Sequence, residues 1–78
     1  MAVRVECVHE LNNHMTRYWL SNGWFIARTR KAAYRQFGYH FNLWKPGAGH
    51  DGTALRLDGA HNLRDILALA NRWANLSA

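Results

Sequence analysis

Basic side chains cluster in the middle of the chain, beside aromatic residues. Arg28, Arg30, Lys31 and Arg35 fall between two runs rich in Trp, Tyr and Phe. Lys and Arg neutralise phosphates and release the counterions of nucleic acid, and aromatic rings stack on bases. A basic segment of this kind is also compatible with an ordinary solvated loop. Because charges and flat rings occur together here, the sequence favours a nucleic-acid-binding surface.

The other chemically active side chains form no catalytic or metal-binding pattern. The five histidines lack the i, i+4 or alternating spacing that places two ligands on one face of a helix or strand. The glycine-rich residues 46–52 lack the Gly-Lys-Ser/Thr ending of a phosphate-binding loop, and the five acidic residues are scattered. The sequence therefore predicts a non-enzymatic protein with no cofactor and no metal site.

Length, charge and cysteine content limit the class of protein. With 78 residues, the chain is predicted to form a single small domain over residues 1–78. Ten Lys and Arg against five Asp and Glu give a net charge of +5, which favours an anionic partner. One cysteine and the lack of an apolar run of about 20 residues predict a cytoplasmic protein that does not enter membranes. A chain this small without disulfides is also a candidate homodimer.

Hydrophobic alternation predicts strands along most of the chain. Residues 3–7 alternate apolar and charged side chains, as a half-buried strand does. Within residues 15–30, Asn22-Gly23 separates two β-prone runs and predicts a hairpin with a two-residue type I′ turn. The alternative is a helix over residues 10–21 that ends at Gly23. Residues 37–44 and 53–58 also alternate and predict two further strands.

The last element is predicted to be a helix over residues 62–76. Asn62 is a suitable N-cap, with Asp65 three residues later. The apolar residues recur at helical spacing and form one stripe: Leu63, Ile66, Leu67, Ala70, Trp73 and Ala74. Because this stripe must cover a sheet face, the predicted fold is α+β, an antiparallel three- to four-stranded sheet with a C-terminal helix packed on one face.

The strand register decides which residues stay uncovered by this helix. Pairing Leu20 with Phe25, and Phe25 with Phe41, collects the apolar residues on the helix side, whereas the alternative register would bury Arg28. The helix side is then predicted to contain Tyr18, Leu20, Phe25, Ala27, Phe37, Tyr39, Phe41 and Leu43. The opposite face is predicted to contain Arg17, Trp19, Trp24, Ile26, Arg28, Arg30, Gln36, His40, Asn42, Trp44 and Arg56. This face mixes cations, amides and aromatic rings, which can contact phosphates, base edges and base faces.

The predicted binding residues combine this face with the basic segment. They are Arg17, Trp19, Trp24, Arg28, Arg30, Lys31, Arg35, His40, Trp44 and Arg56. A competing possibility is that the tryptophans are covered by the first strand or by residues 8–16. If they are uncovered, so large an apolar patch implies a partner.

Three segments together resemble a known family of DNA-binding domains. They are residues 23–28, Gly-Trp-Phe-Ile-Ala-Arg, the strand-like residues 54–59, and the helix from Leu63 to Ala74. Their order is similar to the three-stranded-sheet-plus-helix domains of the AP2 and integrase arm-binding type. The resemblance implies a sheet in the DNA major groove, with contacts from Trp24, Arg28, Arg30 and Arg56. In general character the chain also looks like the short basic proteins of phages and plasmids.

The leading functional hypothesis is a non-enzymatic nucleic-acid-binding module of mobile-element type, with DNA favoured over RNA. The alternative is a phage-encoded inhibitor, similar in character to anti-CRISPR proteins, that binds a host nucleic-acid-handling complex. The two hypotheses make different demands on the same face. Nucleic-acid binding depends mainly on charge and falls steeply with salt, whereas a protein interface depends on tryptophan anchors.

Overall fold

A computed structural model describes residues 2–76, which form one antiparallel sheet and one long helix. In chain order the elements are β1 (Val5–Glu10), β2 (Met15–Leu20), β3 (Phe25–Thr29), a 3-10 turn (Ala32–Tyr34), β4 (Phe41–Lys45), β5 (Leu55–Ala60) and α1 (Leu63–Leu76). Each strand pairs with the next along the chain, so the sheet order is β1-β2-β3-β4-β5. The predicted α+β class is confirmed, with five strands rather than three to four.

The hairpin between β2 and β3 forms, but its turn differs from the prediction. Gly23 N–H donates to the Leu20 carbonyl at 3.0 Å, and Leu20 N–H donates to the Trp24 carbonyl at 2.9 Å. The connection is therefore three residues long. Gly23 has φ of +89°, whereas Asn22 does not have the positive φ that a type I′ turn requires. The hairpin hypothesis is confirmed, and the helix over residues 10–21 is wrong.

The longer turn shifts the register of this hairpin by one residue. Trp19 pairs with Phe25 and Tyr18 with Ile26, whereas a two-residue turn would have paired Leu20 with Phe25. A shift of one residue moves every side chain of one strand to the other face relative to its partner. The predicted placement of the β3 side chains on the two faces is consequently wrong.

The predicted strand over residues 37–44 is also shorter than expected. Its first part forms a tight turn in which Tyr39 N–H donates to the Gln36 carbonyl at 3.1 Å, with positive φ at Phe37 and Gly38. Strand β4 begins only at Phe41, and it pairs Trp44 with Phe25. The predicted pairing of Phe25 with Phe41 is therefore wrong.

Helix α1 begins where the sequence predicts. Asp65 N–H donates to the Asn62 Oδ1 at 2.8 Å, which caps the helix, and Asn62 Nδ2 donates to the Asp65 carboxylate at 3.0 Å, which holds the capping side chain in place. The helix packs against β4 and β5. Ile66 and Ala70 are fully buried in the core that lies between the helix and the sheet.

A polar contact joins the helix to the other end of the chain. Asn71 Oδ1 accepts a hydrogen bond from Val3 N–H at 2.6 Å, and its Nδ2 donates to the Val3 carbonyl at 3.2 Å. The segment before β1 is thus held over the core, where Val3 is buried. In residues 2–76, α1 is too short and too polar to cross a membrane.

Candidate functional site

The sheet face away from α1, here called the open face, presents two rows of side chains that cross the strands. The first row consists of Cys7, Trp19, Phe25, Trp44 and Arg56, each the register partner of the next. The second row consists of His9, Arg17, Ala27, Asn42 and Gly59. Neighbouring strands lie about 4.8 Å apart, so each row extends about 19 Å.

The three middle residues of the first row form a continuous series of aromatic rings. The ring centroids of Trp19 and Phe25 lie 5.1 Å apart, and those of Phe25 and Trp44 lie 6.4 Å apart with the planes nearly parallel. Phe37, from the turn before β4, extends the series because its centroid lies 6.2 Å from that of Trp44. These separations are typical of packed aromatic pairs. Trp19 and Trp44 are half-buried and Phe37 is exposed, whereas Phe25 is buried between them, so the open face presents flat apolar surface at Trp19, Trp44 and Phe37.

Arg17 lies on this aromatic surface. Its guanidinium carbon is 4.3 Å from the centroid of Phe25 and 5.6 Å from that of Trp19, which are cation–π distances. Within residues 2–76 it forms no ion pair, and its Nε is buried without a hydrogen-bond partner. A half-buried guanidinium that no carboxylate neutralises is well suited to bind an anion.

Arg56 lies at the other end of the first row. Its Nε donates to the Asn42 Oδ1 at 2.8 Å, and its guanidinium carbon lies 4.6 Å from the Phe37 centroid and 5.5 Å from the Tyr39 centroid. Like Arg17, it has no ion-pair partner among the residues described. Gly59 leaves the space for this packing, since a Cβ there would lie 2.5 Å from the Arg56 guanidinium and the Tyr39 ring.

A shallow groove lies on the open face beside Arg17. Its volume is about 220 Å³, and it is lined by Met15, Arg17, Phe25, Ala27, Gln36, Trp44 and Ala54. The lining combines a cation, an amide and aromatic surface. A ligand that carries both flat rings and negative charge would be complementary to this groove.

Several predicted binding residues lie elsewhere. Trp24 is only 8% exposed and belongs to the core under α1, so it cannot contact a partner. Ile26 is also in the core, and Arg28 lies opposite Phe41, its guanidinium carbon 5.6 Å from that ring, on the face that the helix covers. The shorter turn assumed from Asn22-Gly23 placed all three on the open face, and the observed register places them on the other. The predicted helix-side positions of Phe25 and Ala27 are wrong for the same reason.

The remaining residues of the basic segment do not converge on one surface. Arg30 forms an ion pair with Glu10 at 2.8 Å and also donates to the Thr16 hydroxyl at 2.6 Å. Lys31 is exposed, precedes the 3-10 turn and makes no side-chain hydrogen bond or ion pair within residues 2–76. Arg35 Nη2 lies 2.6 Å from His40 Nε2, and His40 Nδ1 lies 3.0 Å from the Thr29 carbonyl. Of the predicted site, the structure brings together Arg17, Trp19, Trp44 and Arg56 on the open face.

The electrostatic character of the described chain is strongly positive. Two ion pairs occur in residues 2–76, Arg4 with Glu6 and Arg30 with Glu10, so eight of the ten Lys and Arg residues have no carboxylate partner there. The hydrogen bond from Arg30, followed by that from Thr16, lowers the pKa of Glu10 from its ordinary value. The acidic side chains therefore leave Arg17 and Arg56 available to an anionic partner.

Sequence reasoning missed two aromatic residues of the open face. The assumed register predicts Phe25 on the helix side, and the strand pattern predicts Phe37 there as well; both positions are wrong, since the Phe37 ring contacts Trp44 and Arg56. The Phe37-Gly38 dipeptide could have indicated a turn, since glycine supplies the positive φ that tight turns need. In the part of the chain described, no group of three or more His, Cys, Asp and Glu side chains is placed to bind a metal ion.

Comparison with known proteins adds no relative. No family model matches the chain, and neither the curated proteins nor the solved structures include a significant match.

Proposed function

We propose that this protein binds nucleic acid through the open face of its sheet and catalyses no reaction. The observation that carries the proposal is Arg17, whose guanidinium lies 4.3 Å from the centroid of Phe25 with no carboxylate partner among residues 2–76. Stacking on the rings fixes the guanidinium plane and leaves its outer N–H groups to donate to a phosphate or to a base edge. The charge of Arg17 and the aromatic rings beside it can then bind the same ligand.

The rest of the open face supports the same chemistry. Arg56, the register partner of Trp44, provides a second cation at the end of the first row, and Trp19 and Trp44 are half-buried rings on which bases can stack. Aromatic residues and arginine are also enriched at protein interfaces, so the feature that favours nucleic acid is the positive charge that no carboxylate neutralises. Two arginines without carboxylates within this aromatic surface favour a polyanion with planar groups.

Replacing Arg17 by Gln, compared with replacing Arg64 by Gln, tests the proposal. Both substitutions remove one positive charge, and Arg64 is exposed on α1, away from the open face. Fluorescence anisotropy with labelled single-stranded and duplex oligonucleotides would give the dissociation constant as a function of salt. We expect Arg17→Gln to weaken binding about 10-fold and to reduce the log-log salt slope by about 0.7 to 0.9, the value of one phosphate contact. Arg64→Gln should change the dissociation constant and the salt slope much less.

Two results would overturn the proposal. Equal effects of the two substitutions would mean that binding follows net charge and does not use the open face. Absence of binding to every oligonucleotide at low salt would exclude nucleic acid. It would favour the alternative partner, a host nucleic-acid-handling complex bound as an anti-CRISPR-like inhibitor binds its target, with Trp19 and Trp44 as its anchors.

A further inference from the structure

Phe37 occupies a backbone conformation that disfavours its side chain. It is the first central residue of the turn over residues 36–39 and has φ of +57°, followed by Gly38 at +79°. In residues 2–76 it is the one non-glycine residue with positive φ. Turns of this kind normally place Gly, Asn or Asp at that position, because larger side chains clash with the backbone there. The phenylalanine therefore costs the fold stability.

Burial of the ring does not offset this cost. Phe37 is 65% exposed, and its ring contacts are with Trp44 and the Arg56 guanidinium. A residue that needed only to complete the turn would be Asn or Gly. Strained residues of this kind occur preferentially at functional sites.

The turn that carries Phe37 is held firmly by a buried amide. Asn42 is fully buried, and its Nδ2 donates to the Gln36 carbonyl at 2.9 Å and to the Tyr39 carbonyl at 3.4 Å. Its Oδ1 accepts the hydrogen bond from Arg56 Nε at 2.8 Å. One side chain therefore fixes both the turn and the arginine that lies over the Phe37 ring. Phe37 and Arg56 are therefore preorganised at the end of the aromatic row.

We infer that Phe37 is a stacking platform for one unpaired base and that the open face binds single-stranded nucleic acid. This inference rests on the proposed function and narrows its ligand class. A ring that projects from a turn stacks on the face of a base, and in a duplex neighbouring base pairs cover those faces. The Arg56 guanidinium beside the ring is complementary to the phosphate of the same nucleotide.

The substitution Phe37→Asn separates binding from folding. Asn tolerates positive φ, so the melting temperature should stay the same or rise. Loss of the ring should weaken binding of a labelled single-stranded oligonucleotide about 5- to 150-fold, the range for one base stack. Duplex binding should change little. Phe37→Trp should retain single-strand affinity, and Tyr34→Asn, which removes another exposed aromatic from the same connection outside the row, should have no effect.

Each contrary result has a defined meaning. A lower melting temperature for Phe37→Asn would show that the ring is a structural contact, and equal losses on single strands and duplex would refute the base-stacking role. If the wild-type protein prefers duplex while Arg17→Gln still weakens binding, the single-strand inference fails and the proposed function stands. If the wild-type protein binds neither DNA nor RNA, both fail.

Discussion

Asn71 provides the sharpest test of how the two ends of the chain are held together. Its side chain accepts from Val3 N–H and donates to the Val3 carbonyl, across 68 positions of sequence. A typical hydrogen bond contributes about 1 kcal/mol to stability, so loss of the two bonds to Val3 in Asn71→Ala should cost about 2 kcal/mol. The third bond of this side chain, from Nδ2 to the Leu67 carbonyl at 3.0 Å, adds little because it competes with the backbone bond of the helix. Alanine has a higher helix propensity than asparagine, which offsets about 0.5 kcal/mol of this loss. The net loss of about 1.5 kcal/mol corresponds to a fall of about 6 to 12 °C in melting temperature for a domain of this size.

The control for this substitution lies one turn further along the same helix. Asn75 is exposed and its side chain makes no hydrogen bond within residues 2–76, so Asn75→Ala makes the same chemical change and should leave stability unchanged or slightly higher. Thermal unfolding followed by circular dichroism gives the melting temperatures, and amide hydrogen exchange at Val3 reports the contact itself. We expect Asn71→Ala to increase exchange at Val3 selectively. Equal melting temperatures for the two variants would refute the assigned role of Asn71.

Two further predictions concern the core and the acidic residues. Ile66 has no exposed surface and lies against the sheet, so Ile66→Ala should cost about 2 to 5 kcal/mol, and a melting temperature within a few degrees of wild type would contradict this packing. Hydrogen bonds from Arg30 and then Thr16 lower the pKa of Glu10 below its ordinary value of 4.5; the folded state therefore gains stability above that value and loses it as the pH falls below it. Glu10→Gln should make the unfolding free energy less dependent on pH below 4.5, and an unchanged pH profile would contradict this.

The helix could be predicted from the sequence because its signals are local. Asn62 caps the helix by accepting from the Asp65 N–H three residues later, and the apolar stripe needs only helical spacing. The strand character of residues 15–20 and 25–29 could also be read from β-prone residues on either side of a turn signal. These features depend on neighbours in sequence, so composition and spacing suffice to predict them.

The composition of the open face could be predicted only in part. Arg17, Trp19, Trp44 and Arg56 were placed correctly, and the prediction of Trp24 and Arg28 on the same face was wrong. Asn22-Gly23 is compatible with a two-residue turn and with the observed three-residue turn, since both use a glycine with positive φ. The two turns differ by one residue in register, and that difference exchanges the faces of β3.

Phe37 illustrates a second limit of the local pattern. The alternation of Phe37, Tyr39, Phe41 and Leu43 has the period of a strand, but the chain turns at Phe37-Gly38 and begins β4 at Phe41. Only the folded protein contains the contact that makes this turn favourable, the buried Asn42 amide bonded to the carbonyls of Gln36 and Tyr39.

Local sequence therefore predicts the helix, the β2–β3 hairpin and the positive charge of this protein, whereas the strand register and the side chains that face a partner depend on the tertiary structure. Both phases of an alternating strand have nearly equal local energies. The choice between them is made by distant contacts, here the burial of Trp24 and Ile26 in the core with Leu43 and Ile66. Because that burial is a non-local free energy, only the assembled sheet and helix could place Phe25 on the open face and remove Trp24 from it.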